Sequence, residues 1–272
     1  MFATNDFFFF RKPAWVASTR GKELCYLTLL SEWQGETGNW IDDFPHLVDV
    51  FNDLRVMQWL NVSEYTLAQK QLVEEFSREE EWGLLNRLDT DTSGLLYFAR
   101  SREIYMQFRD LQRSGKVEKY YLAQVWGDVM RNVEKNYGMN KGNSYMSNGS
   151  PRFARDDGSK QKEIQDIVLR FPIMHHRHDD ERMVSCVHEE WKESMLRKGR
   201  GKVLNIESII TPLSYDPVSN TSIVRVLIHQ GVRHQIRVHL ATLGNPIIGD
   251  ELYWKGEKGL LQLVSAGAKI VR

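Results

Sequence analysis

The sequence predicts an α+β (mixed α/β) fold, and three observations lead there. Apolar or alternating runs such as Leu95-Leu96-Tyr97-Phe98-Ala99 and Thr221 to Ile228 have the length and period of strands. Between such runs lie stretches with apolar residues at helical spacing, for example Ile104, Phe108 and Leu111. Gly, Pro and Asn punctuate the borders. With 272 residues, 42% of them apolar and 26% charged, the chain can bury a substantial core as one large domain or two small ones.

Taken in order, residues 6–18 read as a strand, Phe7 to Phe10, broken by the Lys12-Pro13-Ala14 turn, since proline lacks the amide a ladder needs. Residues 45–82 read as mostly helical. Leu67, Leu72, Val73 and Phe76 come near one stripe, and Glu74, Glu75, Glu79, Glu80 and Glu81 form a solvated face. Leu95 to Ala99 is a buried strand, and Ser101 is placed to cap a following helix that Gly115 closes. Lys119 to Trp126 is a second strand ended by Gly127, with Tyr121, Ala123 and Val125 on one face and Tyr120, Leu122 and Trp126 on the other. Residues 131–165 turn polar, rich in Asn, Gly, Ser, Lys and Asp, and read as a long, mobile loop or insertion. Order returns with Ile167 to Ile173, and strands are expected at 203–211 and 221–229. A helix from Arg233 to Leu243 then carries Ile236, Leu240 and Leu243 on one stripe, with Arg233 and Arg237 neighbours on its surface. Gly244-Asn245-Pro246 stops it.

Composition narrows the classes of function. Lys and Arg together equal Asp and Glu at 36 each, but residues 1–100 carry a net charge of −7 and residues 101–272 one of +7. A basic C-terminal part is compatible with a polyanionic partner without requiring one. No apolar run approaches the length of a membrane span, and Phe7 to Phe10 runs straight into Arg11-Lys12-Pro13, unlike a signal peptide. Cys25 and Cys186 have no ligand spacing, so a reduced, intracellular chain is expected. The run His175-His176-Arg177-His178-Asp179-Asp180 lacks the helical spacing of a metal site and reads as a hydrophilic hairpin tip, so no metal is expected.

The segment Asn86-Arg87-Leu88-Asp89-Thr90-Asp91-Thr92-Ser93-Gly94-Leu95-Leu96 is the strongest chemical signal. It sets an acid beside a cation on a short loop before a buried strand, where a carboxylate stays ionised. Alone it reads more readily as a surface ion pair. Asp89 and Asp91 also make an Asp-x-Asp pair of the kind a two-carboxylate glycosidase uses.

Three segments together go further. The Asp89 loop, Lys119-Tyr120-Tyr121-Leu122-Ala123, and Gly231-Val232-Arg233-His234-Gln235-Ile236-Arg237-Val238-His239-Leu240, continuing to Gly244-Asn245-Pro246-Ile247-Ile248-Gly249-Asp250, resemble the RluA-type family of RNA pseudouridine synthases. Lys12-Pro13-Ala14 and Phe171-Pro172-Ile173 fit the same order, so the match runs over about residues 8–250. The resemblance implies a single catalytic domain with a long, mainly antiparallel sheet flanked by helices and a central RNA-binding cleft; as a departure from the family pattern, no separate N-terminal RNA-binding domain is expected before Phe7. It implies isomerisation of uridine in ribosomal or transfer RNA to pseudouridine, without a cofactor, on free RNA or on a ribosomal assembly intermediate. Asp89 would be the nucleophile, Arg237 its ionic partner, and Tyr121 the ring stacked on the base. Arg87, Arg233, His234 and Gln235 would hold RNA, while Asp91 belongs to the loop. The chain departs from the family pattern at Asn86 (usually His), Val232 (commonly Arg), Asn245 (commonly His) and in a weak final motif at Leu263-Val264-Ser265. The weak final motif and the long insertion at 131–165 keep open a second reading, an inactive RNA-binding or ribosome-assembly factor on the same fold.

Overall fold

A strand's pleat sends alternate side chains to opposite faces. In a computed structural model of the chain, Phe8, Phe10 and Lys12 are accordingly buried while Phe7, Phe9 and Arg11 are not. The structure describes residues 2–3, 5–12, 14, 17–18, 75–76, 81–137, 146–155, 161–186, 192–256 and 259–271. The helix expected over residues 45–82 lies almost wholly outside them; at its end the described residues include a 3₁₀ turn, Glu81–Gly83. The chain divides into two compact units, Met1–Ser114 and Gly115–Arg272.

In the first unit, β1 (Phe2–Ala3), β2 (Phe7–Lys12) and β3 (Ser93–Ala99) pair antiparallel in that order. The register sets Phe8 opposite Phe98, Phe9 opposite Tyr97 and Phe10 opposite Leu96, so aromatic side chains gather on both faces. Phe10 meets Phe98 edge to face at 5.3 Å. On the other face Phe108, from helix α1 (Arg102–Arg113), lies 6.0 Å from Phe7 and 5.9 Å from Tyr97. Truncating such a buried ring to Ala would destabilise the unit by about 3–5 kcal/mol. The Ser101 hydroxyl accepts the Ile104 amide at 3.3 Å and so starts α1, as its sequence position predicts.

The second unit contains β4 (Val117–Trp126), α2 (Val129–Tyr137), β5 (Met146–Arg155), β6 (Gln161–Leu169), β7 (Ile173–His176) and β8 (Met183–Ser185). It continues with α3 (Lys192–Lys198), β9 (Gly199–Leu204), β10 (Ser208–Asp216), β11 (Thr221–Ile228), α4 (Gln235–Leu243) and β12 (Leu263–Ile270). Its larger sheet runs β12-β4-β11-β10-β6-β5 and its smaller one β8-β7-β9, every pair antiparallel. Tyr121, Ala123 and Val125 share their buried face with Val226, Val224 and Ser222 of β11 and with Ser265 and Leu263 of β12. Val238 of α4 packs with Ile173 and Met183, closed over by Ile206, Val232 and Tyr253.

Three expectations change. The described part of 131–165 is not a loop: it holds most of α2, all of β5 and half of the paired β6. Val129 and Val133, four apart on α2, are buried, and β6 is anchored through Ile167, Val168 and Leu169 on β10. Backbone pairing satisfies amides and carbonyls whatever the polarity of the side chains, and Pro151 stands at a register shift, where a missing amide is tolerated. Residues 203–211 are not one strand. They belong to β9 and β10, which lie in different sheets and are separated at residues 205–207. Finally, Arg233 precedes the helix rather than sharing its face with Arg237, because His234 adopts the left-handed conformation (φ 54°) and breaks the helical path.

Candidate functional site

The loop that carries Asp89 is fastened along its length. Leu84 bridges Phe98 and the Leu85 amide donates to Tyr97, so the loop leaves directly from the edge of β3. Asn86 then reaches across. Its Nδ2 donates to Leu95 at 3.0 Å and its Oδ1 accepts the Tyr97 amide at 2.9 Å, a two-point brace. The Ser18 hydroxyl donates to the Leu88 carbonyl at 2.8 Å and accepts the Leu88 amide at 2.9 Å. A tight turn closes the far side, with the Thr92 amide on the Asp89 carbonyl at 3.0 Å. Leu88 is buried, Asp89 half-buried and Arg87 exposed, so the loop offers a carboxylate from a fixed backbone and a cation to solvent.

Lys12 lies beneath this loop. It is fully buried, with Nζ donating to the Thr90 carbonyl at 3.0 Å. Burial pulls its pKa from 10.5 down to about 7, against the opposing influence of the Asp89 and Asp91 carboxylates. In the sequence Lys12 opens a turn motif, but nothing in a lysine before a proline signals that its amine is dry. The residue type of Asn86 is likewise explained only by the brace it forms.

In the second unit Tyr121 stands on the inner face of β4, opposite Val226 and Ser265. Lys119, two residues earlier on the same face, is buried with it. Arg237, in the first turn and a half of α4, forms a fork-to-fork ion pair with Asp250: Nε to Oδ2 at 2.9 Å and Nη2 to Oδ1 at 2.7 Å, with side chains 4% and 1% exposed. The ring of Tyr253 lies 5.5 Å from the guanidinium. Asp250 ends the last matched motif in the sequence, but its role as the partner of Arg237, thirteen residues earlier, is not visible there.

The residues expected at RNA are placed differently from one another. Arg233 is exposed and donates to the Asp180 carbonyl at 2.8 Å, tying the tip of the β7–β8 hairpin to the start of α4. Gln235 is buried, its Nε2 on the Glu207 carbonyl and the Ser208 hydroxyl, its Oε1 accepting the Val232 amide. His234 is buried with Nδ1 2.9 Å from the Tyr253 hydroxyl. Desolvation, and then the cations Arg237 and Arg233, depress its pKa to about 3. His239 donates from Nε2 to the Phe171 carbonyl and accepts the Ser208 hydroxyl at Nδ1, both at 2.9 Å, and burial lowers its pKa to about 4. Both rings are therefore neutral at physiological pH. Asn245, where the family commonly has His, donates from Nδ2 to the Trp126 carbonyl at 2.8 Å and accepts Asn132 at Oδ1, joining the end of α4 to the end of β4. Among the described residues no cluster of His, Cys, Asp or Glu is placed to hold a metal ion, and no helix is long and apolar enough to cross a membrane.

Comparison with known proteins adds to this geometry. Residues 6–242 match the family model described as RNA pseudouridylate synthase. An uncharacterized RNA pseudouridine synthase of Helicobacter pylori is 25% identical over 173 residues, covering 63% of this chain and 51% of that protein. The tRNA pseudouridine synthase C of Pasteurella multocida is 27% identical over 173 residues, covering 62% and 54%. The dual-specificity RNA pseudouridine synthase RluA of Vibrio vulnificus is 25% identical over 174 residues, covering 64% and 52%. The chain thus spans about half the length of these relatives. The solved structure of human RNA Pseudouridylate Synthase Domain Containing 1 shares the fold, with a TM-score of 0.54 at 16% identity, covering 99% of this chain and 76% of that one.

Proposed function

The chain belongs to the RNA pseudouridylate synthase family, and on that premise we propose that it isomerises uridine to pseudouridine in a structured ribosomal or transfer RNA. The RNA is presented free or in a ribosomal assembly intermediate inside the cell, and the two units act as one catalytic domain. A uridine leaves its stack, its N1–C1′ bond breaks, the base turns, C5 bonds to C1′, and the C5 proton departs while N1 takes up a proton. Asp89 is the nucleophile, acting on sugar or base or assisting a glycal intermediate. Arg237 is its ionic partner and keeps it charged and oriented. Tyr121 stacks on the base and helps move the proton. Arg87 and Arg233, both exposed, take phosphates. His234 and Gln235, both buried, serve the RNA through the shape they give the turn before α4.

The observation that carries this reading is the Asp89 loop, a half-buried carboxylate on a backbone held by Asn86, Ser18 and Lys12. Rigid presentation of one acid suits a nucleophile more than a surface ion pair, which needs no such bracing. The test is Asp89→Asn, which keeps shape and removes charge. Pseudouridine mapped by chemical adduct and primer stops, in RNA from cells with and without the active gene, is expected to vanish at the target, the rate falling roughly 10⁴-fold or more. An unchanged modification pattern would reject the enzyme and leave the RNA-binding or assembly factor.

A further inference from the structure

We propose that Asp250 and Tyr253 are positioning residues that aim the Arg237 guanidinium. The proposal rests on the reading of Arg237 as the partner of the nucleophile and extends it to the residues that act through Arg237.

The carboxylate of Asp250 is itself held before it holds anything else. Its Oδ1 accepts the amides of Leu252 and Tyr253, each at 3.2 Å, as well as Arg237 Nη2 at 2.7 Å, while Oδ2 takes Nε at 2.9 Å. A planar fork bound at two points has its plane and its rotation fixed, and the directions of the remaining N–H groups are fixed with them. Tyr253 supports one face of the fork and is locked at its far end. Its hydroxyl accepts the Met183 amide at 2.9 Å and shares a hydrogen bond with His234 Nδ1 at 2.9 Å. The ring is thereby tied to β8 and to the residue that opens α4. A buried ion pair adds little net stability over apolar side chains of the same volume, so geometric control is the more economical account of this one.

Asp250→Asn separates aim from folding. The amide oxygen can still accept Leu252, Tyr253 and Nη2, so the turn survives, whereas Nδ2–H would face Nε–H, donor against donor, and the fork opens. A displacement of about 1 Å at a reacting group lowers rates by roughly 10²-fold. Single-turnover rate and RNA dissociation constant are measured on the full chain. For Asp250→Asn the rate is expected to fall roughly 10²-fold with RNA affinity changed less than about threefold. Tyr253→Leu, which removes the ring and its hydroxyl and leaves a smaller apolar side chain, is expected to show the same split at roughly tenfold, and carries the test if the Asn variant does not unfold cooperatively. A rate within about threefold of the natural chain in both variants, or equal losses in rate and affinity, overturns the proposal. If Arg237→Lys is as active as the natural chain, or the natural chain forms no pseudouridine, the underlying reading has failed and this one falls with it.

Discussion

Replacing Lys12 by Met should change how the stability of this protein depends on pH. The amine is fully buried, and burial lowers its pKa from 10.5 to about 7 even with Asp89 and Asp91 pulling the other way. In the unfolded chain it returns to its ordinary value. Below pH 7 both states carry the proton, and burying that charge weighs against folding in full. Between pH 7 and 10.5 the unfolded chain is protonated and the folded chain is not, so each pH unit adds about 1.4 kcal/mol in favour of the folded state. Met fills a similar volume and does not titrate. The difference in unfolding free energy, natural chain minus Lys12→Met, should therefore rise by about 3 kcal/mol between about pH 7 and 9.5. Urea unfolding of both chains side by side measures it, since titrations elsewhere cancel in the difference. A difference constant to within about 0.5 kcal/mol would show that the folded amine keeps its proton, and that the two carboxylates outweigh desolvation.

The other predictions concern the same braces and the buried histidines. Asn86→Ala removes the two hydrogen bonds by which Asn86 spans the Tyr97 amide and the Leu95 carbonyl and should destabilise the protein by about 1–3 kcal/mol in denaturant; a loss under about 0.5 kcal/mol would remove the brace from the account. His239, depressed from 6.5 to about 4 mainly by burial, is neutral when folded and protonated when unfolded across that interval. Its contribution is complete above pH 6.5 and declines by about 3 kcal/mol as pH falls to about 4. His239→Gln should remove that slope from the acid side of the stability curve, and an unaltered slope would assign it to other groups.

Much of the candidate site is legible in the sequence because its residues are neighbours in the chain. The Asp89 loop, the Lys119-x-Tyr121 pair and the run from Gly231 to Asp250 each lie within one short segment, where type and spacing can be read directly. The capped helix at Ser101 and the strands at β3, β4 and β11 follow from period and local capping alone. The polar stretch 131–165 misled because composition describes side chains, whereas β5 and β6 are held by backbone pairing. The periodicity carries the helix back to Arg233 because nothing in the residue types announces a left-handed His234.

From its residues alone, then, this chain declared its family, its strand and helix periods and the carboxylate on which its chemistry is proposed to turn. The folded molecule settled the environment of those groups. Ser18 on Leu88, Lys12 on Thr90 and Asn132 on Asn245 are contacts between segments 70, 78 and 113 residues apart, and Asp250 on Arg237 spans a helix end and a turn. A side chain's identity sets which proton or charge it can carry. Its pKa and direction depend on what excludes water from it and what donates to it, and those neighbours exist only once distant parts of the chain have met.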